Sequence, residues 1–506
     1  MNVPLSVHDV LQKKRQLLLG NEQQIALQHK NGKLTARERI AQLLDANSFV
    51  ETDVFLSHKS TALGMDAVDV PGEGVVTGFG TVMGRPVYVF SQDYTALGGS
   101  LGEMHAKKIC KVIDMAAKIG VPLVGIYDSV GARVEEGMDA LNGYGAVMAR
   151  LAQCSGVIPQ IALVLGAAAG FAAVAPTMSD FVFMANSVSA LYTYHPDVLK
   201  AVTGEDVQAD AQMHAQQTGI AHVTAADEYE AFEKAKALIC VLPSNFEEDA
   251  PLGWGDDDLN RQTPQLVDLP EDADIRLTVE AIADNGFYFE LQQDYAKGMF
   301  TAFSRIGDRT VGVVANQPQI DEGKITSDAA DKAARFITFC DCFNIPVVTL
   351  ADSAGLAFSS AEEQKGLAKH AAALLHAYAN ADVAKVTLLK GKAFGAGYVA
   401  MGSRALGADY VVAWPNAQVG VLPPQLAINV LLREDITQAQ DPIAAREQLA
   451  AEYAQTVEGP INAAKGGYID DIIAPEQTRQ ILCAALEMAV GKREVHLPKK
   501  HGNMPF

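Results

Sequence analysis

The sequence predicts an α/β protein made of two tandem copies of one folding unit, and three observations lead to this prediction. The chain has 506 residues, more than a single hydrophobic core usually supports. Lys107–Gly131 aligns without a gap on Asp331–Gly355, so that Asp128 coincides with Asp352. Continuous apolar segments alternate with helical patterns after both stretches, as expected of buried parallel strands. One such alignment could arise by chance, whereas the same order of elements in both halves indicates a duplication.

Each copy continues through the same series of elements. A helical stretch leads to an apolar strand that ends in a Gly/Ala cluster, within Ile161–Ala173 in the first copy and Lys385–Met401 in the second. A further short strand follows each cluster, at Asp180–Met184 and Asp409–Ala413. This order is typical of a largely parallel sheet that is covered by helices.

The domain limits follow from the repeat and from local composition. Pro, Gly and acidic residues cluster in Asp249–Pro270, which indicates the link between the copies. We therefore expect an N-terminal domain over residues 1–255 and a C-terminal domain over residues 256–506. Residues 1–45 carry apolar side chains at helical spacing and predict amphipathic helices ahead of the first copy. The tail that starts at His496 is rich in Pro and Gly and is expected to be extended.

Composition and charge predict a cytoplasmic enzyme and not a membrane-spanning or nucleic-acid-binding protein. Leu151–Ser179 contains no charged residue, but Pro159 and Pro176 favour a buried strand and a tightly packed helix over a transmembrane segment. The formal net charge of −21 argues against a surface for nucleic acid or anionic lipid. The six cysteines form neither a CxxC pair nor a zinc-binding pattern. With no signal peptide evident, we expect a reducing cytoplasm.

The two Gly-rich clusters are the candidate sites of chemistry. Gly166–Ala173 and Gly391–Gly397 each follow a buried strand and open a helix. A helix N-terminus has unpaired backbone N–H groups and the positive end of the helix dipole, and small residues let a substrate oxygen approach those amides. Loss of one such donor to an oxyanion typically costs about 3–4 kcal/mol of transition-state stabilisation. Close helix–strand packing also explains either cluster alone, but two at equivalent positions indicate a reaction with two developing oxyanions.

Other short motifs do not support a different chemistry. Gly391-Lys392 lacks the rest of a phosphate-binding loop, and the chain has no Gly-x-Ser-x-Gly elbow. Gly72-Glu-Gly74 precedes strand-like residues instead of opening a helix, which a dinucleotide-binding turn would do. Arg133-Val-Glu-Glu136 is typical of a salt-bridged helix start, and we interpret His105 and His370 as structural residues of helices.

Several long strings are more specific than these motifs. They include PGEGVVTGFGTVMGRPVYVFSQDYTALGGSLGEMHAKKI (Pro71–Ile109), DSVGARVEEGMDALNGYG (Asp128–Gly145), GADYVVAWPNAQ (Gly407–Gln418) and the terminal KKHGNMPF. On these strings the chain resembles, nearly end to end, the acyl-CoA carboxyltransferase family. That family includes the β subunits of propionyl-CoA and acetyl-CoA carboxylases and the α subunit of methylmalonyl-CoA decarboxylase.

The resemblance implies a fold and an assembly. It implies two crotonase-like domains, of which the N-terminal one holds the CoA thioester and the C-terminal one holds biotin. It also implies a hexamer built as a dimer of trimers, in which the N-terminal domain of one chain faces the C-terminal domain of another across each active site.

The resemblance also assigns site residues. The amides of Gly170 and Phe171 would hold one oxyanion, and those of Ala396 and Gly397 the other. One oxyanion is the enolate oxygen of the thioester and the other is the ureido oxygen of biotin. Biotin itself can take the α-proton, so no side-chain base is expected. Further contacts to the acyl-CoA and biotin are expected at Gly131, Ala132, Arg133, Gly166, Ala169, Gly395, Tyr398 and Val399.

This chain departs from the family pattern at four places. Val130 replaces the first Gly of Asp-Ser-Gly-Gly-Ala-Arg, and Phe171 stands at the second Gly of the first oxyanion turn. Val399 follows Tyr398, where propionyl-type members often carry Asp. Leu422–Ala427 replaces Met-Gly-Ala-Glu-Gly-Ala. We expect these differences to affect acyl-chain specificity and to leave the fold unchanged.

The partners follow from what the chain lacks. No Met is followed by Lys, so the biotin attachment sequence Ala-Met-Lys-Met is absent, and there is no segment long enough for an ATP-grasp domain. We therefore expect biotin on a separate carrier protein, with either a biotin carboxylase or a membrane decarboxylase subunit as a further partner. Two alternatives stay open. A biotin-independent crotonase-fold hydratase, isomerase or decarboxylase predicts acid/base carboxylates at the turns, and a non-catalytic assembly subunit predicts no CoA binding.

Overall fold

The computed structural model describes residues 6–68, 70–253, 255–494 and 497–505. The chain divides into two units, Met1–Asp249 and Ala250–Phe506, at the start of the predicted linker. Residues 497–505 form neither helix nor strand, in keeping with the predicted extended tail. His496 and Phe506 of that tail, and the first five residues of the predicted N-terminal helices, lie outside the described residues.

One eight-stranded sheet forms the centre of the first unit. Its strands are β1 (Val50–Thr52), β2 (Val75–Val82), β3 (Arg85–Gln92), β4 (Leu123–Ser129), β5 (Gln160–Ala169), β6 (Phe181–Ala185), β7 (Ala190–Tyr192) and β8 (Val223–Ala225). They follow the order β1-β2-β3-β4-β5-β6-β8, and β7 pairs with β5. The pairs among β1, β2 and β3 are antiparallel, and the pairs from β3 onward are parallel. β4 and β6 are buried along their whole length, which explains the apolar sequence of β6 and of β4 up to Asp128.

Helices alternate with these strands along the first unit. They are α1 (Val7–Leu19), α2 (Glu22–Lys30), α3 (Ala36–Leu43), α4 (Glu103–Ile119), α5 (Met138–Cys154), α6 (Val174–Thr177), α7 (Pro196–Thr203), α8 (Ala211–Met213) and α9 (Glu228–Val241). The first three lie where the sequence predicts N-terminal helices. Ile113 of α4 and Val147 of α5 belong to the same buried core as Val164 of β5. The sheet and its two longest helices therefore share one hydrophobic core.

The uncharged segment Leu151–Ser179 lies inside this core. It contains the end of α5, the buried strand β5 and the short helix α6. Within the described part of the chain, no helix is both long enough and apolar enough to cross a membrane.

The second unit has an eight-stranded sheet of its own. Its strands are β9 (Tyr288–Leu291), β10 (Met299–Ile306), β11 (Arg309–Asn316), β12 (Val347–Ser353), β13 (Lys385–Phe394), β14 (Tyr410–Ala413), β15 (Gln418–Gly420) and β16 (Asp471–Ile472). They follow the order β16-β14-β13-β12-β11-β10-β9, and β15 pairs with β13. β9, β10 and β11 pair antiparallel, and the remaining pairs are parallel.

The helices of the second unit include a separate group near the C-terminus. They are α10 (Ile275–Ile282), α11 (Ser327–Cys342), α12 (Ser360–Lys365), α13 (Leu367–Asn380), α14 (Gly395–Ala400), α15 (Pro424–Leu431), α16 (Arg433–Gln438), α17 (Pro442–Thr456), α18 (Pro460–Lys465) and α19 (Thr478–Ala489). Ile428, Ile436 and Ala450 form a small core of their own among α15, α16 and α17.

The two sheets repeat the same strand order, so the predicted tandem α/β architecture is confirmed. Two buried lysines show how closely the halves correspond. The Lys108 ammonium of α4 donates to the carbonyls of Gly72 and Val75, at 2.8 and 2.6 Å. The Lys332 ammonium of α11 donates to two carbonyls of its own unit, at 2.8 and 2.9 Å. Burial lowers the pKa of Lys108 to about 8 and that of Lys332 to about 7.

Candidate active site

Each central strand changes its neighbour shortly before its glycine turn. Residues 161–164 of β5 pair with β6, whereas residues 167–169 pair with β7. Residues 386–389 of β13 pair with β14, whereas residues 392–394 pair with β15. A β-bulge separates the two paired segments of each strand. The strand therefore bends at the same place in both units and then runs into the turn.

Both predicted turns open a helix at a glycine in the left-handed region. Gly170 has a φ of 62° and begins the 3₁₀ turn Gly170–Ala173, and Gly395 has a φ of 52° and begins α14. L side chains rarely adopt this conformation, which accounts for glycine at both positions. The N–H groups of Gly170, Phe171, Ala396 and Gly397 belong to the first turns of these helices, where amides have no acceptor within the helix. Their contact with a substrate oxygen stays a prediction.

The two bulges show which residues of the first turn correspond to which residues of the second turn. The alignment of Lys107–Gly131 on Asp331–Gly355 did not extend this far. Gly166 and Gly391 occupy the same place in the two bulges, so Gly170 corresponds to Gly395 and Phe171 to Ala396. Gly397 then corresponds to Ala172. The predicted amide pairs therefore differ by one residue between the units, although both pairs lie in the first turn.

The loops after β4 and β12 pack against these turns. The Ser129 hydroxyl accepts the N–H of Gly131 at 3.1 Å, and the Ser353 hydroxyl accepts the N–H of Gly355 at 3.2 Å. A Cβ on Gly131 would lie 3.0 Å from the Ala169 carbonyl oxygen. A Cβ on Gly397 would lie 2.8 Å from the Cα of Gly355 and 2.9 Å from the Ser353 hydroxyl. The backbone at both turns is thus held by contacts that only glycine permits.

Apolar side chains surround the first turn. The side chain of Phe171 is 47% exposed and that of Val130 is 49% exposed. Ala132 is half-buried, and a Cβ on Gly98 would lie 3.0 Å from Val130 Cγ1. Two of the four departures from the family pattern therefore lie beside one turn.

The side chains beside the second turn resemble those beside the first. Ala396 is exposed, Tyr398 is half-buried and Val399 is 36% exposed. Burial raises the pKa of the Tyr398 hydroxyl, so this group is a neutral donor at neutral pH. Leu422 of the fourth departure is also partly exposed. The polar groups of this turn are therefore the Tyr398 hydroxyl and the backbone amides.

Arg133 is buried and already paired inside the first unit. Its guanidinium donates to the carboxylates of Glu73 and Glu136 and, at 3.0 Å, to the carbonyl of Ser100. The pairing with Glu136 agrees with the interpretation of this motif as a salt-bridged helix start. The predicted contact of Arg133 with CoA stays a prediction.

A buried carboxylate lies against each bulge, and sequence reasoning missed its place in the site. Asp128 and Asp352 were aligned in the repeat, but nothing in the strand sequences marks the bulges. A Cβ on Gly166 would lie 2.0 Å from Asp128 Oδ1, and a Cβ on Gly391 would lie 2.4 Å from Asp352 Oδ1. Burial raises the pKa of the Asp352 carboxyl, although the Lys390 ammonium 3.3 Å away opposes this shift.

The fold and the site together define a class of enzyme. Each unit has an equivalent glycine turn at the end of a buried parallel strand, where a helix begins. Among the residues described by the structure, no cluster of His, Cys, Asp and Glu is suited to hold a metal ion. Backbone amides at two equivalent turns would suit a reaction that stabilises negative charge on two oxygens.

Comparison with known proteins identifies the family. The carboxyl transferase domain matches residues 27–504. The α subunit of methylmalonyl-CoA decarboxylase from Propionigenium modestum is 45% identical, over 99% of both chains. The propionyl-CoA carboxylase carboxyltransferase subunit from Haloferax mediterranei is 42% identical, over 98% of this chain and 99% of that protein. The transcarboxylase 12S hexamer, solved with methylmalonyl-CoA and methylmalonic acid bound, gives a TM-score of 0.96 at 40% identity over 100% of both chains.

The chain therefore belongs to the carboxyl transferase domain family, and it is a carboxyltransferase. The predicted family and enzyme class are confirmed, as is the tandem crotonase-type fold.

Proposed function

We propose that this chain moves a carboxyl group between biotin on a separate carrier protein and the α-carbon of an acyl-CoA of the propionyl/methylmalonyl type. The observation that carries the proposal is the pair of left-handed glycine turns, one per unit, each placed after a bulge in a buried strand. The names of the relatives support the substrate class, because they act on methylmalonyl-CoA or propionyl-CoA. The chain would be a carboxylase β-type or a decarboxylase α-type subunit, since both use the same transfer chemistry.

The first unit is proposed as the acyl-CoA side. Amides of Gly170 and Phe171 would donate to the thioester oxygen as negative charge develops there. The Phe171 ring and Val130 would line the acyl chain. Orientation and oxyanion stabilisation would supply most of the rate, as in other enzymes that have no charged catalytic side chain.

The second unit is proposed as the biotin side. Its turn begins at Gly395, packs tightly against Gly355 through Gly397, and leaves Ala396 exposed. Two neighbouring amides and few charged side chains would suit an uncharged ureido ring with one acceptor oxygen. When bound, biotin on its carrier would supply the group that carries the carboxyl and a base for the α-proton. The amides of Ala396 and Gly397 would hold the ureido oxygen, and Tyr398 and Val399 would border the ring.

Assembly is proposed as a hexamer made of two trimers, in which turns from different chains face each other. The hexamer of the transcarboxylase 12S relative supports this proposal. Apolar side chains at equivalent positions beside the turns also support it, because Val134 is 82% exposed and Phe358 is 98% exposed. A biotin carrier protein, and either a biotin carboxylase or a membrane decarboxylase subunit, would complete the system. A cytoplasmic location is part of the same proposal.

The test uses the purified chain, methylmalonyl-CoA and free biotin. We expect propionyl-CoA to form only when biotin is present, with initial rates that saturate in both substrates. Omission of biotin is the matched control, because a biotin-independent decarboxylase would still form propionyl-CoA. Equal rates with and without biotin, or no binding of CoA esters by calorimetry, would contradict the proposal.

A further inference from the structure

Each bulge consists of one residue that faces three. In the first unit, Tyr127 pairs with Val164 and Ser129 pairs with Ala168, so Asp128 stands opposite residues 165–167. In the second unit, Asp352 stands opposite residues 390–392 in the same way. The two extra residues let the strand leave one neighbour and join another, as bulges do when they re-aim a strand.

The carboxylate of Asp352 occupies this bulge directly. Its Oδ1 accepts the N–H of Lys392 at 2.9 Å, and its Oδ2 accepts from the Lys390 ammonium at 3.3 Å. The N–H of Asp352 in turn donates to the side-chain oxygen of Asn316 at 3.1 Å. Asp352 and Lys390 are almost fully buried, with 4% and 3% of their surface exposed. One carboxylate therefore holds a backbone amide of the bulge and a buried cation at once.

In the first unit the carboxylate is linked to the bulge through a different partner. Asp128 is fully buried, and its N–H donates to the Gln92 side chain at 3.2 Å, the equivalent of the Asn316 contact. Arg39 of α3 donates to Asp128 at 2.9 Å and also to the carbonyl of Leu165 in the bulge. Lys33 donates to both oxygens of Asp128 at 3.0 Å. A bulge carbonyl, and not a bulge amide, is thus tied to the carboxylate here.

The spacing relates each bulge to its turn. Gly166 precedes Gly170 by the same number of residues as Gly391 precedes Gly395, and the strand between them is paired to β7 or β15. A change in the bulge must therefore displace the short paired segment and the helix start that follows. We infer that Asp128 and Asp352 are positioning residues, whose carboxylates fix the bulges and thereby aim the amides of the two glycine turns.

This inference rests on the proposed function, because its readout is carboxyl transfer. The second unit is the better place to test it, since Asp352 has one cationic side-chain partner and Asp128 has two. Removing Asp352 alone would leave Lys390 as an unpaired buried charge, which destabilises proteins strongly. The test therefore compares two double variants, Asp352→Asn/Lys390→Met and Asp352→Ala/Lys390→Met. Both lack the ion pair, but only the first keeps an acceptor for the N–H of Lys392.

The expected result is a difference in kcat between variants of equal thermal stability. Asp352→Asn/Lys390→Met should keep kcat for biotin-dependent propionyl-CoA formation within about threefold of the wild type. Asp352→Ala/Lys390→Met should lose about 100-fold, the loss typical of one oxyanion donor, with the KM for methylmalonyl-CoA within about twofold. Equal kcat values for the two folded double variants would overturn the inference. An inactive wild-type chain would instead contradict the proposed function.

A second route covers the case in which the alanine variant does not fold. Gly391→Ala places a Cβ against Asp352 Oδ1 and should push the carboxylate out of the bulge, which predicts a loss in kcat of about the same size as loss of one oxyanion donor. Gly145→Ala is the matched control, because a Cβ there meets no atom within 4 Å. If Gly391→Ala has the kcat of Gly145→Ala, the carboxylate does not position the turn.

Discussion

The ring of Phe171 meets the ring of Tyr144 edge-on, with centroids 5.5 Å apart and planes at 70°. Tyr144 is buried in the core of the first unit, whereas nearly half of Phe171 is exposed beside the glycine turn. This contact fixes the Phe171 ring where the proposed acyl group would lie. An aromatic side chain at that position limits the space next to the first oxyanion turn.

Phe171→Ala should therefore widen the acyl pocket while keeping the backbone amide. We expect kcat/KM for ethylmalonyl-CoA to rise about tenfold relative to methylmalonyl-CoA, because one methylene is worth roughly 10–200-fold in a hydrophobic pocket. Steady-state kinetics with a panel of acyl-CoA esters measures this. Tyr144→Phe keeps the edge-on contact and should leave the preference unchanged. A preference in Phe171→Ala identical to that of the wild type would show that the ring does not line the acyl site.

Gly397→Ala should impair transfer with little loss of folding. The added Cβ would lie 2.8 Å from the Cα of Gly355, so the second turn must shift away from its loop. We expect kcat to fall about 100-fold, because a displaced amide no longer meets the oxyanion. The KM for methylmalonyl-CoA should change less than twofold, since that substrate is assigned to the other unit. Gly491→Ala, where a Cβ meets nothing within 4 Å, is the control.

Phe358→Asp should weaken the association of subunits. The side chain is 98% exposed in the loop that follows β12, and an apolar ring in such a position is typical of an interface. We expect the variant to elute as a smaller species than the wild type in size-exclusion chromatography with light scattering, and to lose transfer activity in parallel. Phe358→Leu keeps an apolar side chain and should remain hexameric. A hexamer of unchanged stability in Phe358→Asp would remove this loop from the proposed interface.

Glu458 should make stability depend on pH in a defined window. Its carboxyl is buried beside β15, its Oε1 has no hydrogen-bond partner, and burial raises its pKa to about 7. The folded protein therefore binds this proton more tightly than the unfolded chain does. The stability contributed by the neutral carboxyl is complete below the ordinary pKa of 4.5 and is lost as the pH rises to about 7.

Urea unfolding at several pH values between 4.5 and 8 tests this. We expect the wild type to lose stability relative to Glu458→Gln as the pH rises, and the difference to level off above about pH 7. Glu447→Gln changes an exposed carboxyl on the neighbouring helix α17 and should track the wild type. Parallel stability curves for the wild type and Glu458→Gln would show that the Glu458 carboxyl titrates normally.

The large-scale architecture was predictable from the sequence, because it depends on long apolar strands and a repeat that a single alignment reveals. The alignment of Asp128 with Asp352 placed equivalent strands in equivalent positions, and the two sheets follow this order. The glycine turns were also predictable, because clusters of small residues follow a buried strand at equivalent positions of the two copies.

The bulges were not predictable. The residues of β5 are apolar on both sides of its bulge, so no change in periodicity marks the extra residues. The Asp128 carboxylate is held by Arg39 and Lys33. Both residues lie far from Asp128 in the sequence, in the segment for which only amphipathic helices were predicted. The spacing of apolar residues predicts which face of a helix is buried. It does not predict which carboxylate the Arg39 guanidinium contacts. The register of the two turns follows from the bulges and was missed with them.

A structure with methylmalonyl-CoA and biotin bound tests the central claim most directly. We predict that the thioester oxygen lies about 2.7–3.1 Å from the amide nitrogen of Gly170 or Phe171, and the ureido oxygen at the same distance from that of Ala396 or Gly397. Ligands bound with both oxygens beyond hydrogen-bonding distance of these four amides would contradict the account.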